Sequence, residues 1–156
     1  MLLIATGPAD YAALRGASVW RGYAVTPGGL EPDEVLVMLQ GWSARLQAAQ
    51  GWGSWLAVRG GEVVASLAVK QPLSEGTVEI GCAVAPARRG QGFGTAAVQG
   101  LLPVLAGHGV TRVQAETEAG NIASERVLEK AGFQRTTRRL DAEDGWVQVW
   151  SRPGEA

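Results

Sequence analysis

The sequence predicts a mixed α/β (α+β) domain built on a central, mostly antiparallel sheet, and three stretches predict it. Val78, Ile80, Cys82 and Val84 alternate with Thr77, Glu79, Gly81 and Ala83, the period-two pattern of a strand. An arginine- and glycine-rich turn, Arg88 to Gly94, follows at once and opens a helix through Thr95, Ala96, Ala97, Val98, Leu101 and Leu102. That helix crosses back to a second strand over residues 110–117, which can lie parallel to the first.

Ahead of this unit, residues 2–5 are apolar and suit a short first strand. Pro8 and Asp10 mark a helix start, with Tyr11, Leu14 and Val19 as inward positions. The stretch from Trp20 through Gly29 reads as loop. Glu31, Asp33 and Glu34 place negative charge ahead of Val35, Leu36, Met38 and Leu39, as a first helical turn prefers, and the apolar pattern persists toward Leu46. Residues 10–50 are therefore expected to hold two short helices. Residues 55–59 and 63–70 flank Gly60-Gly61, a connection suited to the positive φ of tight primed turns, so they form a hairpin. Pro72 to Gly76 supplies the next turn and residues 77–85 the third antiparallel strand, which Pro86 ends by removing a donor.

Gly100 and Pro103 predict a kink or an early end to the helix after the turn. The only histidine, His108, falls in the Gly107-His108-Gly109 turn beyond it, a solvated loop. Asn121 suits the N-cap of a helix that closes at Gly132 in a left-handed conformation, with Phe133 packing back on Val127 or Leu128. Residues 134–140 and 146–151 form a closing hairpin about Asp141 to Gly145, and residues 153–156 a frayed tail.

The turn is where chemistry is expected. Arg88 and Arg89 bring positive charge, Gly90, Gly92 and Gly94 keep Cβ atoms out of the way, and the helix N-terminus adds unpaired N–H donors and the positive end of its dipole. Phosphate fits such a site, and a pyrophosphate beside arginines fits it better. A dinucleotide oxidoreductase also uses a strand, a glycine turn, a helix and a strand, with Glu116 or Glu118 near the ribose-binding distance. Against it, Thr95 stands where the third fingerprint glycine belongs, and no second nucleotide-binding half follows.

Arg89-Gly90-Gln91-Gly92-Phe93-Gly94 resembles the Arg-x-x-Gly-x-Gly/Ala signature of the GNAT superfamily of acyl-CoA-dependent N-acetyltransferases. The run from Asn121 and Ser124 through Leu128 to Gly132-Phe133 resembles the superfamily's later Asn-x-x-(Ala/Ser)…Gly-Phe segment. Glu79-Ile80-Gly81 and Ser124 are most similar to the branch of ribosomal-protein N-terminal acetyltransferases (RimJ/RimL-like). The resemblance implies the GNAT fold, with helices on both faces of the sheet, and acetyl-CoA as co-substrate for transfer to a primary amine. It implies that Arg88, Arg89, Gly90, Gln91, Gly92, Phe93, Gly94 and Thr95 cradle the pyrophosphate of coenzyme A and that Asn121 holds the pantetheine arm. It further implies that backbone donors around Ala83 and Val84 polarise the acetyl carbonyl. The region over residues 10–50 then covers the acceptor, so Trp20, Trp42, Trp52 and Trp55 either line an apolar acceptor pocket or belong to the core.

An amine attacks a thioester only when neutral. At pH 7 a free lysine costs about 4.6 kcal/mol to deprotonate and an α-amine about 1.4 kcal/mol. Little base strength is needed for the latter, and a carboxylate acting through water suffices. Glu79 is the first candidate, or else an exposed or salt-bridged strand carboxylate. Many GNAT enzymes carry a tyrosine acid where this chain has Leu128, so Ser124 is the substitute proton donor, or else an ordinary serine of a first helical turn. The expected acceptor is the α-amine of a protein or peptide. A polyamine, aminoglycoside-like or metabolite amine is the alternative, and a non-catalytic acyl-CoA-binding module stays open beside both.

The 156 residues are expected to form one domain, residues 1–156, either monomeric or homodimeric. A 46% hydrophobic, 19% charged composition with net charge −1 gives no general attraction for nucleic acid or an anionic membrane. The single cysteine, Cys82, excludes an intrachain disulfide, is read as a buried structural thiol and points to the cytoplasm. No apolar run reaches the ~18 residues of a membrane span, the N-terminus lacks the pattern of a signal peptide, and no metal is expected.

Overall fold

The computed structural model describes residues 1–154. Strand β1 (Leu2–Ala5) leads into helix α1 (Pro8–Leu14), a small hairpin of β2 (Val19–Trp20) and β3 (Tyr23–Val25), and helix α2 (Asp33–Gln50). Strands β4 (Ser54–Arg59), β5 (Glu62–Val69) and β6 (Thr77–Val84) follow, then α3 (Phe93–Gly107), β7 (Arg112–Glu118), α4 (Ile122–Lys130), β8 (Gln134–Asp141) and β9 (Gly145–Pro153). The main row of the sheet runs β1-β4-β5-β6-β7-β9-β8, and β3 joins at the start of β5. Within that row only β6 and β7 are parallel, because α3 is the one crossover helix between neighbouring strands. So antiparallel a sheet excludes the doubly wound dinucleotide fold.

Both faces are covered. Along β4, Trp55 and Ala57 join a cluster with Val98, Leu101 and Leu105 of α3 and Leu128 of α4. Leu56 and Val58 join the other, with Tyr11 and Leu14 of α1 and Leu36 and Leu39 of α2. The strand period of two thus feeds two cores from one element. Gly60 and Gly61, at φ 59° and 77°, make the expected β4–β5 turn. Phe133 N–H reaches Leu128 O at 2.9 Å past Gly132, at φ 88°, which closes α4 as expected.

Several expectations are corrected. Val19 is exposed and Trp20 buried, because the segment expected to be loop pairs as β2–β3 and alternation turns Trp20 inward. Its indole donates to Asp10 Oδ1 at 3.1 Å. Residues 10–50 hold not two short helices but the short α1 and the 18-residue α2, since nothing breaks the pattern until Gly51, at φ 81°. Helix α3 does not end early but runs through Pro103 to Gly107; the ring is exposed, and the carbonyl it leaves without its helical donor belongs to exposed Gln99. Pro153 belongs to β9 and Gly154 is buried, its N–H donating to Thr111 O, so the frayed tail does not begin there; residues 155 and 156 lie outside the described residues. No described helix is long and apolar enough to cross a membrane.

Candidate active site

Strand β6 ends where Ala85 N–H still bonds Val64 O at 2.8 Å, and a 3-10 turn over Pro86–Arg88 leads to the glycines. Gly90 and Gly92 sit at φ 78° and 79°, left-handed conformations that a Cβ would strain. The first α3 bond runs from Ala96 N–H to Gly92 O, which leaves the N–H groups of Phe93, Gly94 and Thr95 without helical partners. Gly94 has a different job. A Cβ there would lie 3.3 Å from Val127 Cγ2 and 3.4 Å from Val84 Cγ2, so its smallness lets α3, α4 and β6 meet.

The cations near this turn are not equivalent. Arg88 is engaged by Glu62 through both arms of its fork, at 2.6 and 3.0 Å, and holds that carboxyl below the usual range. Arg89 is exposed and loosely tied to Val84 O at 3.4 Å, while Gln91 is exposed beside it. Arg59, which sequence reasoning missed, lies 5.6 Å from the Phe93 ring and adds a cation at the start of α3. Only the tertiary meeting of β4's end with α3 reveals it.

Beyond the turn the sheet opens. The β6–β7 ladder spans only Thr77–Glu79 against residues 112–114, after which the strands part. Ala85 donates to β5 and Glu79 O accepts from Lys70, so by strand alternation Glu79, Gly81 and Ala83 direct their backbone groups to β5. Cys82 and Val84 direct theirs into the gap. Of the two expected donors, Val84 is therefore the one whose N–H faces the gap; Ala83's is spent in the ladder, and Cys82 takes its place.

On the α4 side, Asn121 Oδ1 accepts the Ser124 N–H at 3.2 Å, the expected N-cap. Ser124 is half-buried one turn before Val127 and Leu128, and Leu128 is buried in the core. Glu79 is ion-paired with Lys70 at 3.1 Å, on the side of β6 opposite Val78 and Ile80. Lys70's stem lies across Gly81, where a Cβ would come 3.4 Å from its Cε. Glu116, on the same side of β7, is gripped by Arg139 at 2.6 Å, which holds its carboxyl below the usual range.

An inner cleft of about 190 Å³ opens on this side of β6, lined by Tyr11, Glu31, Trp42, Ser66, Gly81 and Cys82 among others. Of the four tryptophans weighed for an acceptor pocket, Trp42 lines it. Trp20 and Trp55 are core, and Trp52 stacks on His108 with ring centroids 4.1 Å apart. His108 is exposed past the end of α3, as expected of a loop. Cys82 is not the buried thiol expected: it is exposed, because the parted strands open the sheet beside it. The protein around it still desolvates the thiol and pushes it up to about 12, with Glu31's charge adding. Glu31 accepts from Ser66 Oγ at 3.3 Å, and burial pushes its carboxyl up. Sequence reasoning noted Glu31 only as one acid among several. Ser66, a hydroxyl amid Val63, Val64, Ala65 and Leu67, was the signal that a polar partner waits in that apolar strand.

A family model described as an acetyltransferase (GNAT) domain matches residues 2–134. A search of the curated proteins found no sequence match. Among solved structures, the chain is similar to a RimL ribosomal L7/L12 α-N-protein acetyltransferase in complex with coenzyme A, at TM-score 0.72 and 19% identity over 97% of this chain and 92% of that one. It is also similar to AAC(6')-Ib in complex with ribostamycin and coenzyme A, at TM-score 0.68 and 22% identity over 97% and 92%. A third is a ribosomal-protein-alanine N-acetyltransferase from Brucella melitensis, at TM-score 0.67 and 21% identity over 98% and 99%. At these identities the likeness is one of fold.

Proposed function

We propose that this chain, which belongs to the GNAT acetyltransferase family by its match over residues 2–134, takes acetyl-CoA as donor and acetylates the α-amine of a protein or peptide. The observation that carries the reading is the turn itself. Left-handed Gly90 and Gly92 present the unpaired N–H groups at the start of α3 directly beside the gap between β6 and β7. In this reading the turn, with Arg89 and Arg59, holds the pyrophosphate. The arm lies along β6, where Cys82 and Val84 offer unpaired backbone groups, with Asn121 beside it.

Glu79 then takes the proton of the incoming ammonium through water. The neutral amine forms a C–N bond with the acetyl carbon, Val84 N–H stabilises the oxyanion, and collapse breaks the C–S bond. Ser124 relays the second proton, lost by the nitrogen once the C–N bond has formed, to the departing thiolate, so the products are an amide and free coenzyme A, with the proton taken by Glu79 released to solvent. Lys70 keeps Glu79 in place on the acceptor side. A small-molecule amine is the second reading, favoured by the acidic lining that Glu31 and Asp33 give the outer cleft beside α2.

Calorimetric titration with acetyl-CoA, with NADH as control, tests the donor. Saturable binding of acetyl-CoA alone is expected, and no binding by folded protein would overturn the reading. An assay of released coenzyme A over peptides, polyamines and aminoglycosides then separates the acceptor classes; turnover confined to small amines would replace the α-amine reading with the second.

A further inference from the structure

The inner cleft against β6 and an outer cleft of about 490 Å³ between the end of α1 and the start of α2 share one lining residue, Glu31. The outer cleft has apolar walls at Leu14, Val25 and Leu36, and a polar rim at Ser18 and Asp33. Glu31 stands just before α2, half-buried at the junction. Among the described residues its Oε1 accepts from one side-chain donor, Ser66 Oγ, at 3.3 Å. A carboxylate can accept about four hydrogen bonds, so Glu31 keeps capacity for a further donor where the clefts meet.

The groups around it come from every neighbouring element: Tyr11 from α1, Asp33 from α2, Ser66 from β5, Cys82 from β6 and Arg89 from the glycine turn. Burial pushes the Glu31 carboxyl up, while Ser66 and Arg89 pull it back down. Its charge reaches β6, since it helps to raise the Cys82 thiol. This carboxylate therefore overlooks the strand along which the acetyl group would lie, from the side an acceptor would enter.

We propose that Glu31 is the residue that selects a cationic acceptor, its carboxylate taking the acceptor's ammonium at the junction of the clefts and aiming it at Gly81–Ala83, while the body of the acceptor lies along the outer cleft. The proposal rests on the acetyltransferase reading. Removal of the proton and delivery of the acetyl group stay with the residues around β6 and α4; Glu31 contributes capture and aim. A desolvated charge-assisted pair of this kind carries about ten- to a hundredfold in affinity.

Calorimetry on the full chain saturated with coenzyme A tests this, with wild type, Glu31→Gln and Glu31→Asp. The probes are ribostamycin, a pentapeptide with a free alanine α-amine, and the same peptide N-acetylated. The free-amine probe that wild type binds should weaken about ten- to a hundredfold in Glu31→Gln and less in Glu31→Asp, while the acetylated peptide stays the same across all three. In parallel, the pH dependence of alkylation at Cys82, the only cysteine, should move to lower pH in Glu31→Gln, because a negative neighbour is gone. Unchanged amine binding in Glu31→Gln, no wild-type preference for the free over the acetylated peptide, or an unmoved alkylation profile overturns the proposal. Failure of wild type to bind coenzyme A would overturn the acetyltransferase reading and the proposal with it, whereas the alkylation profile judges the placement of Glu31 by itself.

Discussion

Val127 of α4 closes over Gly94 of α3, so a Cβ at residue 94 would stand 3.3 Å from Val127 Cγ2 and 3.4 Å from Val84 Cγ2 on the far side. Gly90 and Gly92, four and two residues earlier, have nothing within 4 Å of such a Cβ and are set apart by left-handed φ instead. One motif thus holds glycines of two kinds. Gly94→Val should overpack the junction and cost about 1–3 kcal/mol. Gly92→Ala should cost about 1 kcal/mol and disturb the N–H cradle. Thermal melts paired with acetyl-CoA titration separate them: Gly92→Ala is expected to lose more donor affinity per degree of melting temperature than Gly94→Val.

The two arginines of the motif should also diverge. Arg88 is bound to Glu62 in a partly exposed pair that solvent screens. Arg89 is the one left facing the turn. Arg89→Ala should weaken acetyl-CoA binding by about tenfold or more, well beyond Arg88→Ala and beyond Glu79→Gln. Titration of the three variants checks this, and equal, negligible losses would remove the turn from the donor site.

Glu31 carries a sign that can be read against pH. Its folded pKa is raised, so the protonated form is favoured in the folded state; its contribution is fully present below the unfolded pKa and is lost as pH rises through the folded one. Glu31→Gln should therefore melt at or slightly above wild type near neutral pH, with the difference closing below about pH 4. A melting series across pH checks it, and a variant less stable than wild type at neutral pH alone would contradict it.

Thr117 Oγ1 accepts the Trp150 indole N–H at 2.9 Å, and both side chains are buried. Thr117→Val leaves that donor without a partner and should cost about 1–3 kcal/mol, a fall of roughly 2–4 °C in melting temperature per kcal/mol for a chain of this size. Thr117→Ser, which keeps the acceptor, should recover part of the loss. Differential scanning calorimetry of the pair reads both.

What sequence alone determined were the features encoded within a few neighbouring residues. Strand alternation at 77–84, the paired glycines at 60–61, the Asn121 cap and the Gly132 closure are local, because φ preference, capping and period act over a turn or two of chain. The turn and its family followed from the same short range. The loop expected over residues 20–29 failed because β2 and β3 are too short to show a period, and only their pairing with each other and of β3 with β5 makes them strands. Tertiary structure alone decided the rest: which arginine a carboxylate holds, which glycine packs, and which peptide N–H faces the gap. Those depend on Glu62, Val127 and β7, residues remote in sequence whose positions are set when the sheet assembles and then opens between β6 and β7. Cys82 shows the difference most plainly. Its apolar neighbours in sequence call for burial, but the parting of two strands opens it to solvent, because exposure belongs to the assembled sheet and not to the strand.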